Sequence, residues 1–488
     1  MEDKNKNFIA RSKLSQSPER REGDKAISKD VIASASARND SLHELPKGWV
    51  WTKVGEIIEK VSITGKKLKQ SEYQEEGKLP VIDQGQTFVG GYTDKEELKV
   101  RCEPPVIVFG DHTKVFKYVD FEFVAGADGV KVINPLEVFY PKLFYYFLNA
   151  IQLPDKGYAR HFQFLEKSFI PLPPLPEQQR IVAKIEELFT NLDAGVEALK
   201  KVKAQLKRYR QAVLKYAFEG KLTEKWREKH KNELEPASLL LEQIREERKK
   251  NTKGSNVGAT GRSPLPVDTS DLPELPEGWV WTKVGEIYDI VGGGTPSTEV
   301  EEYWNGDIPW ITSADIQGLK DIRPRRHINK KAIENSATNL VPEGSLIVVT
   351  RVGLGKIALI NNPICFSQDS QALISSNLLM YPDYSLYYLS QAVQIFKYKH
   401  RGTTIAGVTK KQLSELTFAL PPLSEQHKIV EEIERRFSVA DKIEKVVEGS
   451  LKQSERLRQS ILKKAFEGKL VPQNPSDEPA EKLLERIK

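Results

Sequence analysis

LPKGWVWTKVGEI occupies residues 45–57, and LPEGWVWTKVGEI occupies residues 275–287. Twelve of the thirteen residues match, 230 positions apart. Such self-similarity is the first thing to resolve in a chain, because it dictates architecture. More pairs follow. PLPPLPEQQRIVAKIEELF at 171–189 is matched by ALPPLSEQHKIVEEIERRF at 419–437, and RQAVLKYAFEGKL at 210–222 by RQSILKKAFEGKL at 458–470, both at an offset of 248. A weaker pair, EPASLLLEQIRE at 235–246 and EPAEKLLERIK at 478–488, is offset by 243. The chain is therefore a tandem duplication. From the hinge proline run to FEGKL the two copies have equal length, whereas the stretches between GWVW and the hinge differ by 18 residues and look unrelated. A fixed helix suits setting a distance; a free globule suits making a choice.

With 488 residues, several domains are expected, and 39% hydrophobic content is enough to build cores. The net charge of +6 permits a polyanionic partner without requiring one. Two cysteines, Cys102 and Cys365, exclude a disulfide framework and a cysteine-based zinc site. No apolar run is long enough for a membrane span, and the first residues lack the apolar core of a secretory signal. A cytoplasmic location is expected.

Residues 58–170 and 288–418 alternate short apolar runs with Gly, Pro and Asp turns, as in PPVIVFGDH (104–112), FEFVAGADGVKVI (121–133) and GSLIVVTRVGLGKIALI (344–360). These read as strands. YPKLFYYFLNAIQ (140–152) and YPDYSLYYLSQAVQIF (381–396) read as short helices opened by proline. After each hinge comes a long amphipathic helix. The first has its apolar residues at Ile181, Ile185, Phe189, Leu192, Val196, Leu199, Val202, Leu206, Tyr209 and Val213. The second has them at Ile429, Ile433, Phe437, Ala440, Ile443, Val447, Leu451, Leu457 and Ile461. A seam of that length predicts that the two helices pair as a coiled coil. Gly220 and Gly468 stand where each helix should end. Lys200, Lys201, Lys203, Lys207, Arg208, Arg210 and Lys215 crowd the first helix without an intervening acid, which reads as a solvated face or as a contact for phosphate or a partner.

The expected class is α+β, with two α/β recognition domains separated by two long antiparallel coiled-coil helices in a pseudo-two-fold internal repeat. Its segments are an extension expected to be disordered (1–44), the first domain (45–172), the first spacer helix (173–222), a short helix with flexible linker (223–272), the second domain (273–420), the second spacer helix (421–470) and a tail helix (471–488).

Catalytic signatures are missing. There is no Walker phosphate loop, no Asn-Pro-Pro-aromatic or Asp-Pro-Pro-Tyr motif, no Pro-Asp followed by E-x-K within thirty residues, and no ligand-like histidine cluster. GGGTPS (292–297) and GLGK (353–356) read as turns. The E-x-K triplets at Glu219–Lys221 and Glu467–Lys469 read as charge pairs at helix ends. No catalytic or metal-binding residue is expected, and the balance favours a binding protein.

GGGTPS…EYWNGDIPWITSADI (292–316), VPEGSLIVVTRVGLGKIALI (341–360), FSQDSQALI (366–374) and LPPLSEQHKIVEEI (420–433) resemble the specificity (S) subunit of type I restriction–modification systems. In the first half LPVIDQGQTFVGGY (79–92), VIVFGDHT (106–113), FVAGADGVKVI (123–133) and LPPLPEQQRIV (172–182) carry the same likeness, which covers about residues 45–470. The resemblance implies a non-catalytic subunit. Each globule would be a target-recognition domain reading one half of a split, asymmetric site on double-stranded DNA, and the helices would be the ruler for the gap. It also implies two methyltransferase (M) subunits and two motor-nuclease (R) subunits as partners. Those partners would use S-adenosylmethionine, ATP and Mg, and no cofactor would bind this chain. A system with cleavage fused to the methyltransferase would share this plan, and neighbouring genes would tell the two apart. A coiled-coil scaffold that binds no DNA is the reading from another class.

Base edges are read by polar and basic side chains on loops. In the first domain the candidates are Lys66, Lys67, Gln84, Gln86, His112, Thr113, Arg160 and His161. In the second they are Thr295, Ser297, Thr312, Ser313, Arg351, Gln368, Lys399, Arg401, Thr403 and Thr404. Trp49, Trp51, Trp279 and Trp281 are open to two readings, as core plugs or as part of a partner surface.

Overall fold

The computed structural model describes residues 43–155, 157, 159–252, 269–270, 272–375, 379–394, 396 and 407–487, without the side chains of 251 and 252. The expected disordered extension therefore lies outside the described residues, apart from its last two, as does most of the expected linker. The chain divides into two compact units: residues 1–199 with 449–488, and residues 200–448. Each long helix begins in one unit and ends in the other.

In the first unit the order is β1 (Val50–Lys53), β2 (Ile58–Val61), β3 (Lys67–Leu68), β4 (Leu79–Ile82), β5 (Gly91–Thr93), β6 (Val106–Gly110), β7 (Phe116–Val119), β8 (Val124–Gly126), β9 (Val130–Pro135), α1 (Pro141–Ala150), α2 (Phe162–Lys167) and β10 (Phe169–Leu172). The helix α3 (Leu175–Phe218) follows. Strands β2-β9-β6-β7 form one antiparallel sheet. A second sheet, β3-β8-β4-β5, has parallel β3–β8 and β4–β8 pairs. GWVW enters as β1 and pairs with β10, the strand running into the hinge, with Trp51 opposite Pro171. Pro141 opens α1 with its fixed φ.

The second unit takes the rest of α3, then α4 (Glu224–Lys229), α5 (Ala237–Thr252), β11 (Val280–Lys283), α6 (Val284–Ile287), β12 (Asp289–Gly292), β13 (Ile308–Ile311), β14 (Arg326–Ile328) and α7 (Lys330–Glu334). It continues with β15 (Leu346–Val349), β16 (Ile357–Leu359), β17 (Cys365–Phe366), β18 (Ser370–Ile374), α8 (Pro382–Ala392), α9 (Lys410–Ser414) and β19 (Thr417–Leu420). Helix α10 (Leu423–Phe466) leaves it, and α11 (Ala480–Glu485) closes the chain in the first unit. The main sheet, β12-β18-β15-β16, repeats the strand order of β2-β9-β6-β7. The smaller sheet, β14-β13-β17, repeats the parallel pairing of β4 with β8.

Both units close in the same way, and the sequence order hides it. The end of α10 and helix α11 pack into the first unit's core: Ile461, Ala465, Phe466, Ala480 and Leu483 join Trp49, Phe147 and Ile181. The end of α3 and helix α5 pack into the second: Val213, Ala217, Ala237 and Leu241 join Trp279, Tyr384 and Ile429. Thus each FEGKL segment serves the GWVW of the other copy. Gly220 and Gly468 hold φ of +69° and +68°, the left-handed conformation that favours glycine. Around them, Lys221 N–H donates to Tyr216 O and Lys469 N–H to Lys464 O, the bonds of a Schellman ending. A Cβ on Gly468 would overlap the Pro46 ring, and one on Gly220 the Pro276 ring. The EPA segments dock alike: Ala237 N–H donates to Gly278 O at 2.8 Å, and Ala480 N–H to Gly48 O at 2.9 Å.

The two long helices run antiparallel where they meet inside each unit. In the second, Lys203 pairs with Glu448 at 2.7 Å, and Arg210 pairs with Asp441 at 2.6 Å and Glu444 at 2.8 Å. Seven residues up one helix thus correspond to seven down the other. In the first, Arg458 pairs with Asp193 and lies over the Phe189 ring. Two seam assignments on α10 and one on α3 need correction. Ile443, Leu457 and Tyr209 are exposed. The inner positions beside them go to Glu444, Arg458 and Arg210, whose long side chains lie along the interface and end in ion pairs. Lys203 and Arg210 are accordingly bound to acids of the other helix, not left as a solvated basic face. No helix among the described residues is long and apolar enough to cross a membrane.

Candidate nucleic-acid interface

In the first domain three loops meet at the same end of the sheets: residues 83–90 after β4, 111–115 between β6 and β7, and 127–129 between β8 and β9. Gln84 ties them together. Its Nε2 donates to Asp128 O at 2.9 Å, its Oε1 accepts from His112 N–H at 3.4 Å, and its carbonyl accepts from the Thr113 hydroxyl at 2.6 Å. Asp111 is buried beneath; its carboxylate accepts from Phe162 N–H at 2.7 Å, and its carbonyl from His161 N–H at 2.9 Å.

The first of these loops is held from below by a charge pair whose lysine is buried. Lys117 is 3% exposed; its ammonium donates to Thr87 O at 2.6 Å and lies 3.4 Å from Asp83 Oδ1. Burial pushes the Lys117 pKa down, and Asp83 partly offsets it. Asp83 also accepts from Gly85 N–H at 2.8 Å. It sits against Gly126, where a Cβ would come within 2.5 Å of the Asp83 Cβ, so only glycine admits this approach.

The second domain builds its loop cluster from the same strand ends. The loop after β17, Ser367–Asp369, is central. Gln368 meets the Thr295 hydroxyl, and Asp369 O accepts from Thr350 N–H at 2.8 Å and Arg351 N–H at 3.1 Å. Lys356 donates to Ser313 O at 2.8 Å, joining the loops after β13 and β15. Here too an acid just after the strand holds the loop: Asp315 accepts from Thr312 N–H and hydroxyl, both at 2.8 Å, and pairs with Arg325 at 2.5 Å. Burial pushes the Asp315 carboxyl up, but the hydrogen bonds from Arg325 and Thr312 outweigh it and hold the pKa below the usual range.

Of the first-domain candidates, Lys67, Gln86, Thr113 and Arg160 are exposed, whereas Lys66, Gln84 and His112 are half-buried. The Lys66 ammonium reaches Glu97 O. His161 requires correction: it is fully buried, with Nδ1 3.0 Å from Asp111 O, so its ring supports the loop and meets no DNA. In the second domain Thr295, Ser297, Arg351 and Gln368 are exposed, and Thr312 and Ser313 are half-buried. The Ser297 hydroxyl accepts from Glu299 N–H at 3.4 Å. Lys399, Arg401, Thr403 and Thr404 lie outside the described residues. Sequence reading missed Asp83, Lys117, Asp315 and Arg325. A lysine inside the apolar strand FKYV, and an aspartate just after an apolar strand in VID, were the available signals.

One framework contact is made in both units. Trp49 Nε1 donates to Glu177 Oε2 at 3.0 Å, and Trp279 Nε1 donates to Glu425 Oε2 at 2.8 Å. The repeated GWVW is therefore, at its first tryptophan, a core plug aimed at the hinge glutamate. The second tryptophans are only partly buried; Trp51 donates to His43 O and Trp281 to Pro273 O, each at 3.3 Å.

Residues 46–208 and 276–452 match the family model described as the type I restriction modification DNA specificity domain. The chain is 28% identical over 488 residues to the type I restriction enzyme EcoKI specificity subunit of Escherichia coli strain K12, covering 92% of this chain and 96% of that one. It is 26% identical over 404 residues to the EcoR124I/EcoR124II specificity subunit of Escherichia coli, covering 79% and 86%. Its fold is similar to a chain solved in work on complex assembly and conformational transition of the type I R-M system (TM-score 0.57, 20% identity, 88% of this chain and 100% of that one).

Proposed function

The chain belongs to the type I restriction–modification DNA specificity family, and from that premise we propose that its two domains each read one half of a bipartite, asymmetric site on double-stranded DNA. The supporting observation is the contrast between a repeated framework and unlike loops. Strand order and the tryptophan–glutamate contact recur, yet the same strand ends carry Gln84, Gln86 and Thr113 in one domain and Thr312, Arg351 and Gln368 in the other. Matched frames suit two equivalent methyltransferase subunits, and unlike loops suit unlike half-sites. The two 44-residue helices form an antiparallel coiled coil that sets the gap. A helix of that size is about 66 Å long at 1.5 Å per residue, rigid enough to phase two readers on the scale of the ~34 Å duplex repeat. The chain performs no chemistry and binds no cofactor. Methyltransferase subunits supply adenine methylation from S-adenosylmethionine, and motor-nuclease subunits supply ATP- and Mg-dependent cleavage.

The test is equilibrium binding of duplexes by the complex of this chain with its methyltransferase subunits, with base changes placed in one half-site at a time. Gln86→Ala should weaken discrimination at one half and Arg351→Ala at the other. Equal loss at both halves from either substitution would contradict the division of labour.

A further inference from the structure

Between β2, β9 and the start of α2 lies a cleft of about 600 Å³ in the first domain. Three lysines line it, Lys60, Lys67 and Lys131, with the hydroxyls of Ser62 and Thr64, and no carboxylate does. The ammonium groups of Lys60 and Lys131 both approach the ring of Phe162, at 5.4 and 5.7 Å from its centroid. Only Lys60 is neutralised, by Glu166 at 2.6 Å. Lys67 and Lys131 make no ion pair among the described residues. Cations gathered in a cleft repel one another, and the repulsion is relieved when an anion enters.

The cleft joins the loop cluster directly. Lys131 follows Gly129 by two residues, and Phe162 N–H is bonded to Asp111. Gly65, also in the lining, has φ +69° and open space where a side chain would stand, so its backbone is accessible. Lysines, hydroxyls and open backbone are the groups that hold phosphates, not the forked groups that read bases. We propose that this cleft binds the phosphodiester backbone of the duplex beside the first half-site, with Lys67 and Lys131 as phosphate contacts that carry no sequence information. The proposal rests on the DNA-reading function above and moves Lys67 from candidate base reader to backbone contact.

The experiment is a salt series of binding constants for the methyltransferase complex carrying Lys67→Gln, Lys131→Gln or both, on cognate duplex and on scrambled duplex of equal length. Each lysine lost should lower the slope of log K against log salt by about 0.9. Affinity for both duplexes should fall by the same factor, and the preferred sequence should stay unchanged. An unaltered slope, or a loss confined to the cognate duplex, overturns the proposal. Lys67 lies exposed on the two-residue β3, so its variant carries the test even if Lys131→Gln disturbs the sheet. If the unsubstituted complex fails to prefer cognate DNA, the half-site reading fails, while the slopes on scrambled duplex still decide the cleft.

Discussion

The indole of Trp49 donates to the carboxylate of Glu177 across 128 residues of sequence, and both groups are buried. In the second unit Trp279 and Glu425 repeat the contact, but the two carboxylates are compensated differently. Glu425 also accepts from the Thr223 hydroxyl at 2.6 Å and from Arg227 at 3.0 Å. Among the described residues Glu177 has one further side-chain hydrogen-bond partner, Gln473, at 3.3 Å. Burial accordingly pushes the Glu177 pKa up, more than the Trp49 and Gln473 hydrogen bonds bring it down.

This asymmetry predicts opposite outcomes for one substitution. Glu177→Gln keeps an acceptor for the indole and removes a poorly compensated charge, so the first unit should keep or gain stability at neutral pH. A carboxyl with a raised folded pKa contributes stability that is present below its unfolded pKa and lost as pH rises through the folded value. The difference between parent and Glu177→Gln in thermal unfolding should therefore shift in favour of the variant as pH rises from about 4.5. A difference that is flat with pH would contradict this. Glu425→Gln instead strands Arg227 beside a buried site and should destabilise the second unit by about 3 kcal/mol, measurable by denaturant unfolding.

Gly468→Ala and Gly220→Ala should each destabilise one unit by about 1–3 kcal/mol, because both force a Cβ into left-handed backbone and against a proline ring. Hydrogen exchange would locate the damage. Gly468→Ala should loosen β1 of the first unit, and Gly220→Ala β11 of the second, each far along the chain from the substitution.

Lys117→Met should release the loop at 83–90, since the ammonium that holds Thr87 O and Asp83 is gone. The expected result is about a ten-fold loss of discrimination at one half-site, the scale of one good base contact, with the other half-site read as before. Lys117→Arg should restore part of it. Equal loss at both halves would mean that the lysine supports the fold alone.

Asp315→Asn is the matching test in the second domain. It weakens the grip on Thr312 and the pairing with Arg325, and should degrade reading of the other half-site. The hydrogen bonds that hold the Asp315 pKa low also imply that this loop stays ordered in the parent until the pH falls through that depressed value. Loop protection measured by hydrogen exchange would report it.

The repeated framework was legible because its signals are local: alternating strands, proline-led hinges and glycines past the helix ends. What the pattern hid is non-local. Nothing in FEGKL says which copy of GWVW it meets, and in both units the chain chooses the one from the other copy. Hydrophobicity alone placed Tyr209, Ile443 and Leu457 on the seam, because it cannot see that Arg210, Glu444 and Arg458 bury their stems and satisfy their charges by pairing across it. In the loops the exposed candidates were chosen by residue type. The groups beneath them, Lys117, Asp111 and Asp315, are buried polar side chains whose partners lie on another loop, on a helix, or a few residues along the same loop, and residue type alone does not reveal them.

The measurement that bears most directly on the account is a base-resolution map of adenine methylation in cells carrying this chain with its methyltransferase partner, compared with cells lacking only this chain. One split, asymmetric motif should be methylated in the first and absent from the second. Methylation that is identical in both, with the partner shown to be active, would contradict it.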